Sequence, residues 1–235
     1  MGREVFRFFI NVLLFMCFVA FGIAHDIKTG RIEIPDAWNP WLPLDLTLAD
    51  TRVQRWKIGR AKANPAHCRA ALAPVSVATS LPDFMPSPTC SIAGGVTLAS
   101  LGAVQLDPVK TRCALAMELY LWEQNSVRPA ARELLGSDLR ELEHFGSYSC
   151  RKIAGTRRWS KHARAEAIDI AGFRLANGRH ITLLQGWNGK DDERAFLRRI
   201  RDGACERFGG VLSPDYNAAH ADHFHFDFSR WGFCR

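Results

Sequence analysis

Three of the chain's eight histidines fall within six residues near the C-terminal end, in His220-Ala-Asp-His223-Phe-His225-Phe-Asp227. A second segment, Ser160-Lys-His162-Ala-Arg-Ala-Glu166-Ala-Ile-Asp169-Ile, sets a carboxylate between Ile168 and Ile170. Read as a strand, the first segment puts His223, His225 and Asp227 on one face and Phe224, Phe226 and Phe228 behind it, because strand side chains alternate with a period of two. A row of imidazoles on an aromatic-backed strand is held rigidly, as a ligand set requires. Asp169 sits among aliphatic residues, where a bare carboxylate is too costly, so it must be paired, hydrogen-bonded or metal-bound. Imidazole nitrogens and carboxylate oxygens suit zinc, and three such ligands with one position open form the catalytic rather than the structural arrangement. Such an ion acidifies a water and polarises a carbonyl. A nearby base then takes a proton and returns it to the leaving amine; His223 is the first candidate, and His220 is a neighbour that shares the position.

The other histidines carry less. His25 and His67 read as ordinary surface or core residues, His180 as part of a turn leading into a strand, and His144 as a structural residue before one. A His-x-His alone is a weak signal and a His-x6-Asp weaker. Occurring together, in order, within a cysteine-rich half, they favour the metal.

The elements that must hold these residues follow from periodicity and breakers. Apolar spacing predicts a helix from Cys113 to Glu123 and, after Pro129, another over Val127 to Leu135. Leu142 to Cys150 reads as a strand, followed by a basic loop, Arg151 to Trp159. Ala167 to Phe173, Ile181 to Leu184 and His223 to Phe228 read as strands, and Asp191 to Phe208 as an amphipathic helix with Phe196, Ile200 and Cys205 inward. Upstream, Ile-Pro, Asn-Pro and Leu-Pro pairs break residues 26 to about 62 into an extended connector that ends in a short helix near Val53 to Ala63. Residues 64 to about 104 read as a helical turn near Cys68 and a loop with Pro82, Pro86 and Pro88. The mixture is an α+β class, with a small antiparallel sheet and flanking helices.

At 235 residues the chain is long enough for one well-cored domain with an appendage. Its net charge of +7 suits an anionic polymer or membrane, and the scatter of its cations disfavours nucleic acid. Phe8 to Ala24 is a 17-residue run broken only by Asn11 and preceded by Arg3 and Arg7. That is the lower edge of a membrane span, of about 17 residues. The cationic flank keeps the N-terminus cytoplasmic and exports the rest. Gly22-Ile23-Ala24 also offers a signal cleavage site; the length of the run and the following Trp38 and Trp41 favour an uncleaved anchor. Export fits the cysteines. Outside the apolar run six remain, Cys68, Cys90, Cys113, Cys150, Cys205 and Cys234, with no Cys-x-x-Cys, so they read as disulfides rather than a zinc ribbon. Nested local pairing, 68 with 90, 113 with 150 and 205 with 234, is the expectation.

Further motifs carry a resemblance: Gly146-Ser-Tyr-Ser-Cys150-Arg151, Ser160-Lys-His162-Ala, Ala167-Ile-Asp169-Ile-Ala-Gly-Phe173, Asp202-Gly-Ala-Cys205, and Pro214-Asp-Tyr-Asn-Ala-Ala-His220-Ala-Asp-His223-Phe-His225. Residues from about 113 to 235 resemble the bacterial extensin-like C-terminal family, and the anchor, Trp38-Asn-Pro-Trp41 and the 64–104 unit extend the likeness over nearly the whole chain. Extensin-like proline repeats are absent. The ligand pattern is in turn similar to lysostaphin-type, D-Ala-D-Ala carboxypeptidase and hedgehog folds, and most to penicillin-insensitive murein endopeptidases. The resemblance implies that His162, Asp169 and His225 bind one zinc ion and that His223 is the base. It also implies that Arg151 and Ser160 contact substrate, and that the substrate is a peptidoglycan stem peptide. No Glu-x-x-His precedes His225, because Asp222 occupies that place; this favours the histidine base, with Glu166 the alternative.

The expected organisation is an anchor or signal over 1–25, a connector and small unit over 26–104, and a disulfide-stapled zinc peptidase-like domain over 105–235. The expected location is the periplasmic side of the inner membrane, and the expected activity endopeptidase rather than carboxypeptidase. Two other classes compete: a zinc-containing wall-binding or regulatory module without chemistry, and a stapled membrane scaffold whose histidines are incidental, which predicts no metal.

Overall fold

In the computed structural model, which describes residues 2–229 and 232–235, the apolar run is one helix, α1 (Gly2–Lys28), with no buried residue. Its mean hydropathy reaches 2.2 over 18 residues, enough to cross a membrane, and a signal sequence has the same character. The proline-punctuated stretch after it forms only a short 3-10 turn, Asp36–Trp38. Thr51 Oγ1 donates to the Ala37 carbonyl at 2.5 Å and accepts from the Gln54 N–H at 3.1 Å, which starts helix α2 (Arg52–Ala63).

The chain divides into units 1–59 and 60–235. Residues 64–104 therefore belong with 105–235 and form no unit of their own. Helix α3 (Pro65–Leu72) is capped by Asn64, whose side chain accepts from the Ala66 and His67 N–H groups, with proline at the first helical position. After it come strands β1 (Ala78–Ser80), β2 (Gly95–Leu101) and β3 (Val104–Arg112), the last two forming a hairpin absent from the sequence-based reading. The rest is α4 (Cys113–Trp122), α5 (Arg128–Leu135), β4 (Leu139–Gly146), β5 (Ala167–Leu175), β6 (His180–Thr182), α6 (Leu183–Gly186), α7 (Asp191–Cys205), β7 (Gly210–Leu212), β8 (Phe224–Asp227) and β9 (Phe233–Cys234).

The class is α+β, as expected, but the sheet is not small. Its order is β1-β2-β3-β4-β5-β8-β7-β9, with β6 also on β5, and the β3–β4 and β7–β9 pairs are parallel. Helices α4 and α5 are not separate either. A π turn, Glu123–Val127, joins them, with the Arg128 N–H reaching back five residues to the Glu123 carbonyl. Pro129 lacks an N–H and crowds the preceding turn, and widening that turn lets the helix run on. Strand β4 stops at Gly146, whose φ of +106° turns the chain out of the sheet four residues before the expected end. The predicted strand at 181–184 ends after Thr182, whose hydroxyl caps α6 by accepting from the Gln185 N–H.

One face of the sheet is packed and aromatic. Trp122 lies edge-on to Phe226 at 5.0 Å, Phe173 meets Phe196 at 5.3 Å, and Trp187 meets Phe224 at 5.7 Å. The Trp122 indole N–H donates to the Ile200 carbonyl at 2.8 Å and so ties α4 to α7.

Disulfides join Cys68–Cys113, Cys90–Cys150 and Cys205–Cys234. Only the third matches the nested expectation. The β2–β3 hairpin brings the chain back to the Gly94 carbonyl, where the Cys113 N–H binds at 3.2 Å, and α3 packs there on α4. Cys68 is thus beside Cys113. Cys90 instead follows its loop to the turn near 163, where the Ser91 N–H donates to the Ala163 carbonyl at 2.9 Å and Cys150 is adjacent. Replacing Cys90 and Cys150 together by serine opens a 60-residue loop. The expected cost is about 2–5 kcal/mol, read as a lowered urea midpoint against the parent chain.

Candidate metal centre

Strands β5 and β8 pair antiparallel with Asp169 opposite His225, Ile168 opposite Phe226 and Ile170 opposite Phe224. Directly paired residues project to the same side of a sheet, so this register decides the site. Ile168, Ile170, Phe224 and Phe226 are fully buried on the helix side, and Asp169 and His225 share the opposite face. The third member arrives from a 3-10 turn, Lys161–Arg164. Ser160 caps it, its hydroxyl accepting from the His162 N–H at 3.3 Å, and Ala165 closes it in the left-handed region at φ +49°. The turn points His162 back over β5.

The three side chains converge. His162 Nε2 is 3.2 Å from Asp169 Oδ1 and 3.1 Å from His225 Nδ1, and His225 Nδ1 is 2.9 Å from Asp169 Oδ1. Zinc bonds of about 2.0–2.1 Å at tetrahedral angles separate ligand atoms by roughly 3.3 Å, so this triangle has the size of one face of such a site. Both rings are fixed through their other nitrogens. His162 Nδ1 is 2.8 Å from the Ser147 carbonyl and must donate to it, leaving Nε2 a lone pair. His225 Nε2 is 3.2 Å from Asp227 Oδ2, while Asp227 Oδ1 accepts from the Ser229 N–H at 2.7 Å. A carboxylate behind a ligand histidine sets its tautomer and raises its basicity. A Cβ at Gly210, paired with Asp227, would lie 2.3 Å from Asp227 Oδ1, so only glycine leaves that carboxylate its place.

Without a metal the cluster holds protons. Burial disfavours the His225 imidazolium, but its hydrogen bonds to Asp169 and Asp227 outweigh it and raise the pKa to about 9. Burial likewise opposes the Asp169 carboxylate, and its contacts with His162 and His225 still hold it well below the usual range. The signs set a window. The raised His225 stabilises the metal-free fold fully below its unfolded value near 6.5 and loses that contribution as pH rises through about 9; the lowered Asp169 contributes above about 3.8 and loses it as pH falls. The metal-free chain is expected to lose up to roughly 3 kcal/mol between about pH 6.5 and 9, seen as a falling midpoint in urea titrations across that range.

Next to the triangle lies His223. Its Nε2 is 3.7 Å from Asp169 Oδ1 and its Nδ1 is 2.8 Å from Asp222 Oδ1, while the exposed Phe145 ring stands edge-on at 5.7 Å. His220 is 5.2 Å from His223, centroid to centroid, with Nδ1 on Asn217 Oδ1 at 2.8 Å. Burial, then the charges of His223 and His225, push the His220 pKa down to about 4.

The remaining site residues divide. Arg151 is exposed and its charge is felt at His220. Ser160 is 7% exposed and its hydroxyl accepts from the His162 N–H, so it holds the ligand turn in place. Glu166 is ion-paired with Arg112 at 2.7 Å and Lys161 at 3.0 Å, which occupies it as a base. His144 binds the Asp107 carbonyl and His180 binds Glu143, each at 2.8 Å, outside the cluster. Three partners had no role in the sequence reading. Asp227 lay on the ligand face of the His-x-His-x-Asp alternation, which was its signal. Asp222 was noticed only as a missing glutamate, and nothing in sequence marks the Ser147 carbonyl.

A family model described as extensin-like protein C-terminus matches residues 66–235. No curated protein matches the chain, and no solved structure does.

Proposed function

The chain belongs to the extensin-like protein C-terminus family, and from that premise we propose that it is a zinc-dependent peptidase of the bacterial cell envelope, acting on peptidoglycan stem peptides or cross-links. The single observation that carries the reading is the triangle of His162 Nε2, Asp169 Oδ1 and His225 Nδ1, all within 3.2 Å and backed by acceptors on both imidazoles. Those three residues would hold the ion. When bound, zinc supplies a Lewis acid that acidifies water and polarises a carbonyl. The protein's own groups do the rest. Asp222 accepts a hydrogen bond from His223 Nδ1–H and so turns the Nε2 lone pair towards the cluster, the arrangement of an oriented general base. Burial on the helix side keeps Asp169 and His225 from shifting during turnover.

The likeness to murein endopeptidases and D-Ala-D-Ala peptidases belongs to this proposal, and so does location on the periplasmic side of the inner membrane with α1 as anchor. Endopeptidase cleavage is the preferred form.

The test is metal content on the full-length chain in detergent, with muropeptide digestion followed by mass spectrometry on the same sample. One zinc per chain and new, smaller muropeptides are expected. Zinc without cleavage would leave a wall-binding or regulatory module, and no zinc would remove the central claim. Asp227→Asn gives a finer check. It keeps the shape but weakens the partner of His225, and zinc affinity is expected to fall about 10–100-fold in a chelator competition.

A further inference from the structure

Between Glu143 and Glu166 the sequence has no aspartate or glutamate, yet it includes Lys152, Arg157 and Arg158 in the basic loop before the ligand turn. The proposed chemistry uses none of the three. All are exposed, and their side chains have no ion-pair or hydrogen-bond partner among the described residues. Lys152 lies instead over the Trp159 ring, 5.7 Å from its centroid. By contrast, Arg112, Arg174, Arg179 and Arg198 each meet a carboxylate.

The segment is a pinned hairpin rather than a slack loop. Lys152 bridges Trp159 antiparallel, the Ile153 N–H donates to the Arg158 carbonyl at 2.9 Å, and the Thr156 N–H turns back to the Ile153 carbonyl at 3.0 Å. Gly155, at φ +71°, makes the turn. At the base the Ser160 N–H donates to the Arg151 carbonyl at 3.0 Å, and the Cys90–Cys150 disulfide holds the preceding residue. Directly opposed residues project to one side, and successive residues alternate. One face of the hairpin therefore carries Trp159 with Lys152, and the other carries Ile153 with Arg158. Trp159 and Ile153 are each 41% exposed. Both faces thus set an apolar side chain beside a cation, and Arg157 lies in the turn between them.

We propose that this hairpin is a membrane contact separate from α1, and that its tip enters the headgroup layer of an anionic phospholipid bilayer. A soluble polyanion would meet the three cations and leave Ile153 and Trp159 in water. A bilayer surface meets both needs, because indole and aliphatic groups settle at headgroup depth while lysine and arginine keep their charges on the phosphates. The same pairing on both faces suits a tip surrounded by headgroups better than a ribbon laid along a polymer. Helix α1 is long and apolar enough to cross a membrane, and once it is inserted the hairpin's contact is intramolecular and need only be weak. Each cation near an anionic surface strengthens partitioning about fivefold, so three supply roughly a 100-fold preference over neutral lipid. The base of the hairpin adjoins the metal centre, where the Ser149 N–H donates to the His162 carbonyl at 3.0 Å. A seated tip therefore keeps the cluster beside the bilayer.

The experiment places the full-length chain in nanodiscs of phosphatidylcholine, or of equal parts phosphatidylcholine and phosphatidylglycerol. Phenylglyoxal labelling of Arg157 and Arg158 is followed by peptide mass spectrometry, with Arg140, exposed and likewise unpaired on β4, as the internal reference. Phosphatidylglycerol is expected to slow labelling of the hairpin arginines at least about tenfold relative to Arg140. Replacing Ile153→Ser and Trp159→Ser together is expected to reduce that protection at least about threefold. Both side chains are exposed, so the fold should persist, and an unchanged urea midpoint verifies this. Equal labelling in the two lipids, or protection that the double variant keeps in full, overturns the proposal. So does equal protection by soluble polyaspartate in phosphatidylcholine discs, which would mark a polyanion site instead. Neither zinc nor cleavage enters the readout, so the outcome is independent of the peptidase reading.

Discussion

Asp169→Ala is expected to lose zinc and turnover together. Asp169 Oδ1 is the one anionic vertex of the triangle, within 3.2 Å of His162 Nε2 and 2.9 Å of His225 Nδ1. Removing it leaves two imidazole nitrogens 3.1 Å apart with no carboxylate between them, a pair that tolerates a dication poorly. Removing a ligand carboxylate should exceed the effect of weakening an outer partner, so zinc affinity is expected to drop by more than about 100-fold. The fold should survive, because Ile168 and Ile170 on either side still pack against the helices. The readouts are zinc content after dialysis, muropeptide turnover, and the far-ultraviolet dichroism that guards against unfolding. A folded variant that keeps one zinc per chain would refute Asp169 as a ligand.

Legibility in the sequence followed the range of the interactions. Strand β8 was readable because alternation is local: His223, His225 and Asp227 against Phe224 and Phe226 state both faces at once. Asp169 was readable for a similar reason, as a charge between two isoleucines. What placed them together was the β5–β8 register, which pairs residues 56 apart and leaves no mark in either segment alone. The hairpin of β2 and β3 was missed although Val96, Leu98, Val104, Leu106 and Val109 occupy its buried positions. The prolines at 82, 86 and 88 made the region look like loop. The crossed disulfides depended on that hairpin. Once it folds back, Cys113 returns to Cys68 and frees Cys90 for Cys150, an outcome no spacing rule contains. Likewise, the resemblance assigned Ser160 to substrate, and the cap it forms on the ligand turn was not read from its spacing to His162.

His223→Ala is expected to separate chemistry from metal binding. The side chain is not a vertex of the triangle, since its Nε2 stands 3.7 Å from Asp169 Oδ1, so zinc should remain at one per chain. Turnover should fall by about 10²–10⁴, the range that a positioned general base contributes. His220 is the only other imidazole beside it among the described residues, and the two can be told apart. The Nδ1 of His220 is tied to the Asn217 amide rather than to a carboxylate. His223 has the carboxylate of Asp222 behind it at 2.8 Å. His220→Ala should therefore cost less than His223→Ala. Asp222→Asn should fall between them, because asparagine can still hold the ring but no longer stabilises its protonated form. If His223→Ala keeps full turnover, or if His220→Ala is the more damaging change, the base has been misassigned even where zinc is bound by the three predicted ligands.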